Sequence, residues 1–258
     1  MPSAVTHSEP AGAGGGAPWC DRCPLRQNCG FADFSAEELA FMIEFKTDHG
    51  RSWAGEVLLQ QGSTTPRLMT LFSGWALKYR ATDTGERHLL EVILPGDLVG
   101  LELVLGGSSP YSIEAASDIT FCVLNAGRLD ELLHTAEFAH RVSAIEANAY
   151  RRMAERLTAV AVSGARRNVA HFFLDLYRRL DQRQMTRDGS LPLHFRKQQI
   201  ALAVGLTTVH VHRVLRGLQA DGILTIDRRG ITIGNLAALY EAAGTAEPHA
   251  PPAPLPFL

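Results

Sequence analysis

Short apolar stretches separated by turn residues fill the region from residue 56 to residue 124. They lie at residues 57–59, 68–72, 75–79, 88–94 and 119–124, and glycines fall between them. Turn residues at such regular intervals are typical of antiparallel strands in which each strand turns directly into the next. The pattern therefore predicts a compact antiparallel barrel or jelly roll.

Helical patterns flank this predicted barrel on both sides. Before it, residues 31–45 show helix-like apolar spacing after Ser35, a suitable N-cap, with Glu38 three positions on as the partner of a capping box. After it, residues 129–161 contain no Gly or Pro and are rich in Ala, Glu and Arg. We therefore predict one or two helices between the barrel and the rest of the chain.

The longer of these helices carries one apolar seam. Its members recur at steps of three and four residues, at Val142, Ile145, Ala149, Met153, Leu157 and Val160. This spacing favours a partner helix, so residues 136–163 are predicted to form a dimerisation helix. The alternative is that the seam packs on the barrel of its own chain.

The C-terminal region contains the sharpest local pattern in the sequence. Within a window that starts at Lys197, the apolar positions are Ile200, Val204, Leu206, Val211 and Val214. Ala201 supplies a small residue where two helices cross, and Gly205 permits the positive φ of a sharp turn between them. This is helix-turn-helix spacing, with the second helix beginning at Thr207 or Thr208.

A predicted hairpin follows the second helix and completes a winged helix. Its strands are residues 223–226 and 231–233, joined by a turn at residues 227–230. We predict a DNA-binding face made of Thr208, Val209, His210, His212, Arg213, Arg216, Lys197, Arg228 and Arg229. Arg213 is the first choice for reading a base, because a guanidinium donates two parallel hydrogen bonds to guanine. A metal site at His210 and His212 is disfavoured, because residues two apart on a helix point in nearly opposite directions.

The charge distribution supports a nucleic-acid partner. Residues 151–230 hold fifteen Arg or Lys against six Asp or Glu, whereas the rest of the chain holds ten against twenty-one. A basic region on an acidic body is the electrostatic pattern of a nucleic-acid binder whose other part has a different task. A solvated basic face without a ligand is the alternative.

The chain has only four cysteines, and three of them are close together. Cys20, Cys23 and Cys29 form a C-x2-C-x5-C group, and Cys122 lies far along the sequence in an apolar run. Four thiolates that converge on one centre suit an iron–sulfur cluster or, less well, zinc. A thiol–disulfide sensor is a further alternative.

The two ends of the chain have no pattern of a packed structure. Residues 1–18 are a Gly/Ala/Pro tract without the basic start or apolar centre of a signal peptide, so we expect a disordered leader. The Pro-rich residues 241–258 are expected to form a disordered tail. No apolar run reaches the length of a membrane span, and we expect a cytoplasmic protein with no membrane partner.

The order of barrel, long helix and winged helix, with three N-terminal cysteines and one in the barrel, resembles the Crp/Fnr superfamily of bacterial transcription regulators. Within it the chain is most similar to the Fnr branch, oxygen sensors that hold a [4Fe–4S] cluster. The resemblance implies that Cys20, Cys23, Cys29 and Cys122 are the cluster ligands. It also implies a homodimer on a two-fold related operator in double-stranded DNA, and RNA polymerase as a partner, with the polar hairpin tip at residues 83–86 as its contact.

The fold expected from pattern and resemblance together is α+β. It consists of a leader (1–18), a cysteine-rich cluster-binding loop (19–30), an antiparallel jelly-roll barrel of the cyclic-nucleotide-binding type (31–135), a dimerisation helix (136–163), a winged helix-turn-helix domain (164–240) and a tail (241–258). The cluster is expected to hold the active dimer, and its destruction by oxygen to release DNA.

Two departures from the family pattern modify these expectations. Family members that bind cyclic AMP carry an Arg beside a Ser or Thr in a phosphate-binding stretch, but residues 95–113 contain no Arg or Lys. A cyclic nucleotide would lack its charge partner, so none is expected. The Fnr branch usually places a Glu and then Ser-Arg on its recognition helix, where this chain has Val209 and His212-Arg213. A guanine contact is still expected, with an altered operator sequence.

Several other functions compete with this hypothesis. A zinc- or thiol-based regulator would use the same cysteines and the same DNA-binding end. A haem sensor would need an axial ligand, for which His49 and His88 are the candidates. A cupin-like metalloenzyme would need clustered His and carboxylate ligands in the barrel, where His88 stands alone. We therefore expect a regulator and not an enzyme.

Overall fold

The computed structural model describes residues 20, 23, 25–28, 30–161, 164–186, 189–192, 197–227, 230–246 and 254–258. The predicted leader, Cys29, Arg228 and Arg229 therefore lie outside the described residues, as do residues 247–253 of the predicted tail. Among the described residues, no helix combines the length and apolar character that crossing a bilayer requires.

The N-terminal half is a jelly roll of two antiparallel four-stranded sheets, which confirms the predicted fold class. One sheet has the strand order β1-β8-β3-β6 and the other β2-β7-β4-β5. The strands are β1 Lys46–Ser52, β2 Val57–Leu59, β3 Leu68–Ser73, β4 Ala76–Ala81, β5 Arg87–Ile93, β6 Leu98–Val99, β7 Ser112–Ala115 and β8 Ile119–Leu124. Apolar side chains from both sheets, among them Leu59, Met69 and Ile113, meet in a buried core. We call these strands, together with the helices Ala36–Phe45, Leu101–Gly106 and Leu129–His134, the barrel domain.

Three helices accompany the sheets, and a long one leads away from them. They are α1 Ala36–Phe45, α2 Leu101–Gly106, α3 Leu129–His134 and α4 Ala136–Ala161. The predicted capping box starts α1, because the Ser35 hydroxyl accepts from Glu38 N while the Glu38 carboxylate accepts from Ser35 N. Of the one or two helices predicted after the barrel, the structure has two, α3 and the long α4.

The second half of the chain is a winged helix, which we call the C-terminal domain. Its elements are α5 Ala165–Gln182, β9 Ser190–Pro192, α6 Lys197–Val204, α7 Thr208–Ala220, β10 Leu224–Ile226, β11 Gly230–Ile233 and α8 Leu236–Ala243. The predicted hairpin is β10 and β11, and β9 adds a third strand on the other side of β11. The core of this domain is continuous with apolar residues of the barrel such as Trp75 and Leu94.

The structure corrects two expectations. Helix α8 extends beyond residue 240, and residues 254–258 are packed rather than disordered, since Leu255 forms a β-bridge with Phe31 and Phe257 and Leu258 are buried. Val142, assigned to the dimerisation seam, is buried in the core of its own chain beside Phe138. The physical reason is the same in both cases: apolar side chains are removed from water wherever a neighbouring surface of the chain accepts them.

Candidate nucleic-acid interface and cysteine centre

The predicted recognition helix is α7, and its exposed face carries the predicted DNA-binding residues. Thr207 is its N-cap, because the Thr207 hydroxyl accepts a hydrogen bond of 3.2 Å from His210 N. Val211, Leu215 and Leu218 anchor the opposite face in the core. The side chains left exposed are Thr208, Val209, His210, His212, Arg213 and Arg216. Val209 is 71% exposed, although it is apolar, so the helix presents it outward.

The turn before α7 follows the sequence prediction. Gly205 has φ 67, in the left-handed region that favours glycine. Ala201 is buried where α6 and α7 meet, and its carbonyl accepts from Leu206 N at 3.0 Å. Lys197 is the first residue of α6, whereas Arg228 and Arg229 lie outside the described residues.

A buried network of charges joins the barrel domain to the C-terminal domain, and sequence reasoning missed it. Asp97 lies between two guanidinium groups, with Arg183 Nη2 at 2.5 Å from Oδ1 and Arg179 Nη2 at 2.7 Å from Oδ2. Arg152 of α4 pairs with Glu91 of β5 at 2.6 Å. We call these five residues the junction network.

Electrostatics keep the junction network ionised. Burial by itself raises the pKa of Asp97, but the charges of Arg183 and Arg179 outweigh it and hold that pKa below its ordinary value. Glu91 behaves in the same way, with Arg179, Lys78 and Arg152 as its opposing charges. Burial lowers the pKa of Arg183 to about 10, so its guanidinium is still charged at neutral pH. The network is therefore a set of paired charges between two domains.

A cavity of about 400 Å³ lies beside the junction network, between the barrel, α4 and α5. At its barrel side, Lys78 is 3.3 Å from Glu102, and the Tyr111 hydroxyl donates to the other oxygen of Glu102. Lys78 therefore already has a carboxylate partner on the protein.

Two of the cysteines, Cys20 and Cys122, lie beside the same lysine. Lys46 Nζ, in β1, donates to Cys20 Sγ at 3.9 Å, and its charge also acts on the Cys122 thiol in the neighbouring strand β8. The thiols of Cys20 and Cys23 both act electrostatically on the Arg26 guanidinium. Thus Cys20 and Cys122 both lie beside Lys46, and Cys23 is near enough to act electrostatically on Cys122, while Cys29 lies outside the described residues.

The described thiols do not form a complete metal site in this structure. Among the described residues, no group of three or more His, Cys, Asp or Glu side chains is placed to hold one metal ion. Burial raises the pKa of the Cys122 thiol, and Lys46 opposes that effect. The donor set nevertheless fits an anionic iron–sulfur cluster in its chemistry, because the sulfur atoms are soft ligands and Lys46 and Arg26 supply the neighbouring positive charge.

The two histidines proposed as haem ligands differ in their surroundings. His88 is exposed on β5, with its nearest carboxylate, that of Glu86, at 4.0 Å. His49 contacts Lys46 and pairs with Cys122 across β1 and β8. Burial and then the Lys46 charge lower the pKa of His49. His49 thus belongs to the cysteine centre.

The apolar seam of α4 is exposed only in its second half. Of the predicted seam, Met153, Leu157 and Val160 are 64%, 70% and 51% exposed, and Tyr150, which the predicted seam did not include, extends this exposed row at 72%. At the first half, Ile145 packs beside the buried Val142. Arg152 and Arg156 face inward, where Arg152 pairs with Glu91 and Arg156 donates to the carbonyls of Leu90 and Ala203. The exposed row is a contiguous apolar surface on an otherwise charged helix.

Comparisons with known proteins agree with both halves of the chain. Residues 53–136 match the family described as cyclic nucleotide-binding domain, and residues 168–242 match the Crp-like helix-turn-helix domain. The chain is 27% identical over 239 residues to the anaerobic regulatory protein of Pasteurella multocida, covering 91% of this chain and 86% of that protein. It is 26% identical to the fumarate and nitrate reduction regulatory protein of Escherichia coli K12, covering 90% and 93%.

Solved structures show the same fold. The structure of FixK2 from Bradyrhizobium japonicum matches with a TM-score of 0.69 and 23% identity, over 78% of this chain and 98% of that one. A CooA variant from Carboxydothermus hydrogenoformans matches with a TM-score of 0.65 and 19% identity, over 81% and 92%. Together with the two family matches, these likenesses show that the chain belongs to the Crp/Fnr family of DNA-binding transcription regulators, which are not enzymes.

Proposed function

We propose that this regulator senses oxygen through a [4Fe–4S] cluster held by Cys20, Cys23, Cys29 and Cys122. The observation that carries the proposal is the meeting of Cys20 and Cys122 at Lys46, because residues so distant in sequence converge on one cationic point. The names of the relatives, which refer to anaerobic regulation and to fumarate and nitrate reduction, support the same assignment.

The residues around the cluster would stabilise its charge. A [4Fe–4S] core with four thiolates carries a net negative charge, which nearby cations and backbone N–H groups offset. The described cations beside the thiols are Lys46 and Arg26, of which Arg26 also pairs with Asp33 at 2.7 Å. When bound, the cluster would supply an oxygen-labile link between the cysteine loop (residues 19–30) and strand β8, and its loss would remove that link.

The DNA-binding form is proposed to be a homodimer. The exposed row of Tyr150, Met153, Leu157 and Val160 is the surface through which a second copy would bury apolar area. Ile145 packs against the core that contains Val142, and Ala149 lines the cavity, so the proposed dimer contact is shorter than the seam predicted from the sequence. In such a dimer the two α7 helices would lie about 34 Å apart to read successive major grooves.

The exposed face of α7 is proposed to read the operator. Arg213 would donate to a guanine, and the exposed Val209 would meet a thymine methyl group. Lys197, Arg228 and Arg229 are proposed to contact phosphates, together with the remaining predicted residues Thr208, His210, His212 and Arg216. The hairpin tip at residues 83–86, exposed between β4 and β5, is the proposed contact for RNA polymerase.

Anaerobic purification followed by iron and acid-labile sulfide counts per chain tests this function. The proposal predicts four irons and four sulfides, which disappear after a pulse of air together with operator affinity. Stoichiometric zinc, bound haem, or a metal-free protein that responds through its thiols would each replace it with a different sensor of the same family.

A further inference from the structure

A small apolar cluster joins the cysteine loop to two other parts of the chain. Its buried members are Leu25 of the loop, Phe31 and Phe257, and the residues packed against them are Cys23, Phe34, Met185 and Leu255. We call this group the loop cluster. Because Met185 follows α5, the loop cluster brings the cysteine loop against the C-terminal domain.

Polar contacts fix the loop on the end of α5. The Asn28 side chain donates from Nδ2 to the Arg183 carbonyl at 2.5 Å, and its Oδ1 accepts from Gly30 N at 2.8 Å. A Cβ added at Gly30 would lie 2.1 Å from the Gln182 carbonyl oxygen, so the two backbones are in direct contact there. The loop therefore touches α5 through both its backbone and its side chains.

Residues near the C-terminal end of the sequence hold the same loop from the other side. Leu255 N donates to the Gly30 carbonyl, and Ala32 N donates to the Leu255 carbonyl, each at 2.8 Å. The Phe257 ring lies with its centroid 5.4 Å from Phe31 and 4.8 Å from Phe34. The cysteine loop is thus enclosed between α5 and this segment.

The end of α5 is in turn part of the rigid centre of the molecule. Met185 packs against the core of the C-terminal domain as well as against the loop cluster. Arg183 donates to Asp97 and, from Nε, to the Pro95 carbonyl at 2.9 Å. A change in the path of the loop therefore affects Met185, a side chain that also packs against the core of the domain that carries α7.

We propose that Asn28 and Met185 are positioning residues through which the state of the cysteine loop reaches the DNA-binding domain of the same chain directly. This inference rests on the proposed cluster function and adds a second route to it, separate from the dimer contact of α4. Asn28 immediately precedes Cys29, and Cys23 itself packs on the loop cluster, so a change in thiol ligation must alter these contacts.

Four variants test the proposal. Asn28→Ala removes both side-chain hydrogen bonds, and Gln27→Ala is its control, because Gln27 is exposed on the same turn. Met185→Ala removes the shared apolar contact from the α5 side, and Met185→Leu is its control, because it conserves volume. Each protein is assayed for iron and sulfide, for the ratio of operator Kd after and before air, and for hydrogen exchange of residues 183–186 in both states.

The proposal predicts normal metal content in all four proteins. The ratio of Kd values should shrink about three- to tenfold in Asn28→Ala and Met185→Ala, the size expected for losing one or two hydrogen bonds or a partial apolar contact. Exchange at residues 183–186 should respond to air in the parent and in both controls but no longer in these two variants.

The possible failures are distinguishable. A parent without iron and sulfide refutes the proposed function. A parent that loads a cluster and responds to air, with Asn28→Ala and Met185→Ala responding as it does, overturns only the direct route. If Asn28→Ala alone loses metal, the Kd ratio and the hydrogen exchange of Met185→Ala decide whether the direct route exists. If both variants lose metal, the contact serves cluster assembly, and its proposed role in transmission is overturned.

Discussion

Replacing Asp97 with Asn tests whether the junction network holds the two domains together. The substitution keeps the size of the side chain but removes the negative charge between Arg179 and Arg183. Both arginines are nearly inaccessible, with side chains 7% and 4% exposed, so water cannot replace the lost partner. The variant leaves buried positive charges in contact with an amide.

The structure sets the size of the effect. Asp97 accepts two hydrogen bonds from charged guanidinium groups and one of 2.7 Å from Leu94 N. Hydrogen bonds to charged groups contribute about 1.5–3 kcal/mol each, and removing one partner of a buried ion pair costs about 3–5 kcal/mol. We therefore expect Asp97→Asn to lower the free energy of unfolding by about 3–5 kcal/mol at pH 7.

Urea denaturation followed by circular dichroism and by tryptophan fluorescence measures this loss. Trp75, one of three tryptophans in the chain, is buried in the core shared by both domains, so its contribution to the emission reports on the junction. Asp83→Asn, at the exposed hairpin tip, is the control for the change in charge. A cost below about 1 kcal/mol, the range of an exposed pair, would refute the reasoning.

The same group predicts a dependence on pH. The paired arginines hold the pKa of Asp97 below its ordinary value in the folded protein, so its stabilisation is fully present above the unfolded pKa of about 4. The stabilisation is lost as pH falls below that value through the folded pKa. The difference in stability between the parent and Asp97→Asn should therefore be constant from pH 7 to about pH 5 and shrink in more acidic buffer.

Three further predictions address partners. Leu157→Glu should turn the proposed dimer into a monomer in sedimentation velocity, because it places a charge in the exposed apolar row of α4. The control Thr158→Glu, at the neighbouring position beside that row, should remain a dimer. A Leu157→Glu protein that is still a dimer would show that α4 is not in the interface. Arg213→Ala should weaken operator binding about 5- to 150-fold in a fluorescence titration, whereas the control Gln219→Ala should bind the operator as the parent does. An Arg213→Ala protein with the parent's operator affinity would exclude a base contact by Arg213. Cyclic AMP should leave the Tm unchanged, because Lys78 is paired with Glu102, and a rise in Tm would contradict this.

The elements that could be predicted from sequence are those with a local signal. The capping box of Ser35 and Glu38 starts α1 as expected, and Gly205 marks the turn between α6 and α7. Both patterns depend on residues within a few positions of one another, where backbone geometry decides the outcome. The strands rich in apolar residues were found for the same reason, to within one or two positions.

The features that were missed depend on contacts between distant residues. Strand β1 has the sequence KTDHGRS, which shows no apolar alternation, and it forms because it pairs with β8 at the edge of its sheet. Asp97 and Arg183 are far apart in sequence, so only the fold brings them together. Val142 and Leu157 belong to the same apolar seam, which recurs every three or four residues. The sequence alone could not show that Val142 is buried within its own chain and Leu157 is exposed.

The most direct test of the account compares the parent with Cys122→Ser after anaerobic purification, by counting iron and sulfide and then measuring operator affinity before and after air. The account predicts a full cluster and oxygen-sensitive DNA binding in the parent, and the loss of both in Cys122→Ser. A variant that keeps the parent's metal content and its response to air would contradict the claim that the barrel and the cysteine loop share one cluster.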